Sequence, residues 1–76
     1  MNLIKELYEK KIVSNLFISW LDDMKICVRD EDFEIASRYH SRITAFIWCL
    51  FENDKISYTE FSQIKYFVDE IFMEGF

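Results

Sequence analysis

The chain has 76 residues, a net charge of −5, 18% aromatic residues, no proline and one glycine, Gly75. That length sets a single helical domain over residues 1–76, small enough to bury only about 60% of its unfolded surface. The acidic balance excludes nonspecific nucleic-acid binding, which needs Lys and Arg to neutralise phosphates. The shortage of turn formers excludes an all-β fold.

The first residues, Met1 to Glu6, carry an acid too early for an apolar leader, so a cytoplasmic location is expected. From Val13 onward the apolar stripe is Val13, Leu16, Phe17, Trp20, Leu21, Met24, Cys27 and Val28, at helical spacing. Ile4, Tyr8 and Ile12 fall outside it. The pattern predicts one long helix over Leu3–Val28, its off-stripe residues meeting the third helix or another subunit. The alternative is a break near Lys10–Ser14, with Ser14 capping a second helix.

Arg29 and Asp30 make the next turn, and Asp30 or Asp32 can accept from unpaired backbone N–H groups. A connection this short implies an antiparallel hairpin. Residues 22–34 hold six acids against Lys25 and Arg29, a local balance of −4. Asp22, Asp23, Asp30, Glu31, Asp32 and Glu34 therefore form an acidic tip. It solvates the hairpin and complements the helix dipole, or it docks on a basic partner.

The central helix is expected from Asp32 to Phe51, with Phe33, Ala36, Ile43, Ile47 and Leu50 on one stripe. Its second half, Ile43 to Phe51, is apolar on nearly every side and needs cover from several directions. Nine residues span only about 13 Å, too short to cross a membrane.

Glu31, Asp32, Phe33, Glu34, Ala36 and Ile43 resemble the UVR-type motif, E-D-F-E-x-A-A-x-L-R-D-x-I. Ser37, Tyr39 and His40-Ser41 stand where that pattern has Ala, Leu and Arg-Asp. The resemblance covers about a sixth of the chain and implies a helical hairpin that mediates protein–protein contact, as in excision-repair nuclease subunits and protease-linked regulators.

Glu52 to Ile56 is polar and ends the central helix. Ser57-Tyr58-Thr59-Glu60 is a capping box, which starts a third helix running to Met73. Phe61, Ile64, Val68, Ile71 and Phe72 share a stripe, Tyr66 and Met73 lie opposite, and Phe67 is on the flank. Gly75 and Phe76 are expected to fray. The fold class is all-α, a small antiparallel three-helix bundle made of a long helical hairpin plus a third helix.

No residue set assembles a catalytic, cofactor or metal site. An EF-hand reading of the stretch ending at Glu60 fails, because Cys49 and Phe51 stand where calcium needs oxygen. His40 has no acid or thiol three or four residues away. Asp22-Asp23 and Asp69-Glu70 are adjacent acids that diverge by about 100° on a helix, which is poor geometry for paired acid–base work. Cys27 and Cys49 lie roughly 25 Å apart by helical rise, so both are expected to be free, buried thiols. A non-enzyme is expected.

The rings are harder to place. Trp20, Trp48, Phe17, Phe46, Phe51, Phe67 and Tyr66 cannot all face one seam, so a partner or dimer surface is expected. Trp48 and Phe51 lie off the main stripe and are the leading anchors, with Tyr66 and Phe67 beside them. The expected function is that of a small acidic regulatory or inhibitory protein binding another protein with a basic surface. By analogy with phage and mobile-element products, it would compete for a host enzyme's nucleic-acid site, as anti-CRISPR inhibitors do. The alternative is a self-associating homodimeric module. Neither reading involves direct nucleic-acid or membrane contact.

Overall fold

The expected long first helix is two helices, α1 (Asn2–Glu9) and α2 (Asn15–Arg29), in a computed structural model that describes residues 1–74. The chain turns at Lys10–Ser14, and Ser14 Oγ accepts from the Phe17 amide at 3.4 Å. The three-helix expectation is thus corrected to four, with α3 (Phe33–Glu52) and α4 (Tyr58–Met73) following. The break lets Ile4 and Leu7 turn inward, which a continuous helix would have kept off the α2 stripe.

With no glycine available, all three turns use one backbone device. Lys11, Glu31 and Asp54 adopt left-handed conformations with φ of 63°, 62° and 57°. Around Lys11, the Ile12 amide donates to the Leu7 carbonyl at 2.8 Å and the Lys11 amide to that of Tyr8 at 3.0 Å. Glu31 and Asp54 repeat the pattern, with Asp32 donating to Cys27 at 2.8 Å and Lys55 to Leu50 at 2.9 Å. These are Schellman closures, each built on a residue for which the left-handed state costs about 1 kcal/mol.

The next helix starts at once only after the turn at Glu31; after Lys11 and Asp54 two residues precede the caps Ser14 and Ser57. Asp32 Oδ1 accepts from the Ile35 amide at 3.4 Å. The capping box at α4 is complete: Ser57 Oγ accepts from the Glu60 amide at 3.1 Å, and Glu60 Oε1 from the Ser57 amide at 2.8 Å.

One core runs through all four helices. Phe17, Met24, Ala36, Ile43, Ile47, Ile64 and Val68 are sealed at its centre, and Ile4 and Leu7 extend it under α1. Phe17 and Trp20 near the start of α2 meet Phe46 late in α3, so these helices run in opposite directions. Phe61 early in α4 meets Trp48 and Phe51 late in α3, while Phe72 late in α4 stacks on His40. Packing is heaviest among α2, α3 and α4, and α1 lies against α4. At about 1.5 Å per residue α3 is close to 30 Å long, against a longest molecular dimension of 34 Å. It spans the protein.

Both cysteines are free. Cys27 is half-buried, but Cys49 is exposed, which corrects the expectation of two buried thiols. Cys49 falls on the side of α3 turned away from α2 and α4, so no neighbour covers it. Gly75 and Phe76, expected to fray, lie outside the described residues.

Candidate functional site

Opposite the core-facing stripe of α3 lies a run of small side chains at four-residue spacing: Ser37, Ser41, Ala45 and Cys49, all exposed. Beside it stands Trp48, 48% exposed although it is one of the largest apolar side chains in the chain. Its ring is braced from below. Phe61 meets it nearly edge-on at 5.3 Å between centroids, and Phe51 lies 5.8 Å away. Phe51 in turn is 5.5 Å from Phe61 and 5.8 Å from Tyr58. Tilted and edge-on contacts of this kind suit the ring quadrupoles. Trp48 is thus backed by two rings on its inner side while its outer side meets solvent. From it a shallow apolar groove runs along the α3–α4 seam over Ala45, Thr44 and Ser41 to His40 and Lys65.

The other expected anchors sit elsewhere. Tyr66 is 68% exposed, on the side of α4 away from this groove, and lines a depression with Met1, Ser62 and Gln63. Phe67 is half-buried beside Met1 and Ile4 under the edge of α1, with the Lys25 ammonium 5.9 Å from its ring centre. The four expected aromatic anchors thus divide into two surfaces, Trp48 with Phe51 at the α3–α4 seam and Tyr66 with Phe67 beside Met1.

The expected acidic tip is divided as well. Asp23, Asp30 and Asp32 surround Cys27, whose thiol is pushed up by burial first and then by those three carboxylates. Asp22 lies on the flank facing α1, near Lys5 and Lys25. Glu31 lines a hollow with Lys25, Arg29 and Glu74. Glu34 pairs with Arg38 at 3.1 Å, one turn on. From Glu34 to Trp48 is about 21 Å along the helix, so acids and rings occupy opposite ends of α3.

Two polar arrangements were not visible in the sequence. His40 Nε2 lies 2.7 Å from Asp69 Oδ1, and Lys65 Nζ donates to Asp69 Oδ2 at 2.7 Å. Burial raises the Asp69 carboxyl, but the hydrogen bonds from Lys65 and His40 outweigh it and hold the group below its ordinary value. His40 meets no acid on its own helix; its partner is 29 residues away on α4. On the other flank of α3, the Arg42 guanidinium stands over both Trp20 at 5.4 Å and Tyr39 at 5.6 Å.

Among the described residues no three His, Cys, Asp or Glu side chains gather to hold a metal ion, and no helix is long and apolar enough to cross a membrane. The chain matches no protein-family model, no characterised protein and no solved structure.

Proposed function

We propose that this chain is a small regulatory protein that works by binding another polypeptide through the outward face of α3. The observation that carries this reading is Trp48, packed on Phe51 and Phe61 yet half in water. A large ring already packed on one side contributes apolar contact at little further entropic cost, which is why such side chains dominate interface energies. The groove beside it is lined by small or apolar side chains, with charge only at the Lys65 end.

The carboxylates at the α2–α3 turn supply the second part of the proposal. A field of that sign speeds encounter with a basic surface and adds less to the final affinity. Where such a surface normally holds nucleic acid, this protein acts as an inhibitor by competing for it. The protein contributes no reaction chemistry of its own.

The test is affinity capture from native lysate with three baits: wild type, Trp48→Ala, and a tip-neutralised variant (Asp30→Asn, Glu31→Gln, Asp32→Asn, Glu34→Gln). Asn at position 32 retains helix-capping ability. The expected result is a polypeptide retained by wild type, lost with Trp48→Ala, and held by the tip variant with weaker salt dependence. Equal retention by Trp48→Ala, with helical content unchanged, would remove α3 as the binding face.

A further inference from the structure

We infer that the polypeptide bound on the outward face of α3 is a second copy of this chain, packed antiparallel about a twofold axis at Ala45. The inference rests on the reading above that Trp48 anchors an association on this face; it gives the face to self-association and leaves the acidic turns, at opposite ends of the pair, for a basic surface. Three features of α3 carry it, and each matches itself when the helix is reversed.

The first is charge. The exposed side of α3 carries Arg38, which also pairs with Glu34, seven residues before Ala45 and Glu52 seven residues after it, while Arg42 is turned to the α2 flank over Trp20 and Tyr39. A twofold at Ala45 places Arg38 level with the partner copy's Glu52, and the reverse pair follows by symmetry. Such an interface is isologous: whatever one copy offers, the other receives.

The second is shape. In the same register Ser41 lies opposite Cys49 of the second copy and Ala45 opposite Ala45. These side chains are small enough for the helices to approach to about 8 Å, the close end of the usual range.

The third is the groove. A twofold perpendicular to both helices keeps Trp48 of each copy on the side where α4 lies. The second copy's indole then falls level with residues 41–44, on Ser41 and Thr44 and toward His40 and Lys65. Those residues line the apolar groove beside Trp48. One surface thus carries both a projecting ring and a slot for that ring, separated by the distance the symmetry requires.

A heterologous partner would need none of this symmetry.

The test uses the full chain. Sedimentation equilibrium at tens to hundreds of micromolar should give twice the chain mass for wild type. Ala45→Arg should give the single mass with helical content unchanged, since position 45 is exposed. Trp48→Ala should raise the dissociation constant about thirtyfold, the effect of losing a central anchor. Arg38→Glu and Glu52→Arg should each weaken the dimer, and together restore it. Register is read by cross-linking in a Cys27→Ser, Cys49→Ser background. Ala45→Cys should oxidise to a covalent dimer, because a disulfide needs Cα atoms within about 7 Å. Ser37→Cys should not, because its two copies would stand about 24 Å apart along the axis.

A single-chain mass at all these concentrations, or cross-linking at 37 in place of 45, overturns the inference. A monomer that still loses a captured polypeptide on Trp48→Ala overturns the twofold alone and leaves the association reading standing. A monomer whose Trp48→Ala variant captures everything that wild type does overturns both.

Discussion

At its start α3 meets its surroundings through charge: Asp32 caps it, Glu34 pairs with Arg38, and His40 reaches across to Asp69. At its finish the same helix meets α4 through rings, with Trp48, Phe51, Phe61 and Tyr58 leaning on one another. The polar end is content in water, because ion pairs and solvent satisfy it where it stands. The aromatic end is not, because only another surface can remove its exposed rings from water. One continuous helix thus has one end whose charges are paired within the chain and one whose largest ring is half in water. Position along α3, more than residue type, decides which side chains are left half in water.

The largest expected contrast is in stability. Phe61→Ala removes the nearly buried ring beneath Trp48 and should cost about 3 kcal/mol in urea unfolding. Glu34→Ala, which breaks only an exposed ion pair, should shift stability by no more than about 0.5 kcal/mol. Comparable losses would break the distinction between the two ends.

Thiol chemistry sharpens it next. At neutral pH and low protein concentration, exposed Cys49 should react with a maleimide at least about tenfold faster than Cys27. The Cys27 thiol is half-buried and its pKa is raised, so less of it is thiolate. Single serine variants assign the two rates, and a faster Cys27 would mean that the carboxylates around it do not act as described.

A smaller effect lies where the seam between α3 and α4 turns polar. Asp69→Asn should cost about 0.5 to 1 kcal/mol, kept low because the carboxylate is more than one-third exposed. The pH dependence has a definite sign. The folded-state pKa of Asp69 is depressed, so its contribution is whole above the ordinary carboxylate range and fades as pH falls through and below it. Acid titration of stability should lose that part of its slope in Asp69→Asn.

The smallest expected effect is one in which the ends agree. Glu31→Gly and Asp54→Gly each relieve a left-handed residue, one at the acidic end and one at the aromatic end. Each should stabilise by about 0.5 kcal/mol in thermal unfolding, after the entropy that glycine adds to the unfolded chain. A gain at one site only would mean that the turns are less alike than their hydrogen bonds suggest.

Much of α3 and α4 was legible in the sequence because a helix buried on one stripe repeats at a fixed period. Of the predicted stripes, Ala36, Ile43 and Ile47, and likewise Phe61, Ile64, Val68 and Ile71, are buried, while Phe33, Leu50 and Phe72 are half-buried. The capping box at Ser57 was equally plain, being local. The break after Glu9 was harder to read, since Lys10 and Lys11 are good helix formers and no glycine marks the left-handed turn. Two local signals did point to it, the shift of the apolar face and Ser14 as a cap. The contact between His40 and Asp69 was beyond reach, because it depends on how two helices slide past each other. The exposure of Cys49 was hidden for a related reason: a run of apolar residues does not say which of its sides will lack a neighbour.

The turn at Lys11 has a consequence for motion. α1 is eight residues, too short to hold helical form in water unaided, and it is fastened by Ile4, Leu7 and the hydrogen bond from the Tyr8 hydroxyl to Asn15. Severed from α2 by the turn, it is expected to open before the helix that follows unwinds. Its amide protons should then trade for deuterium well before those of the other three helices, as those of a latch that opens while the door stays shut.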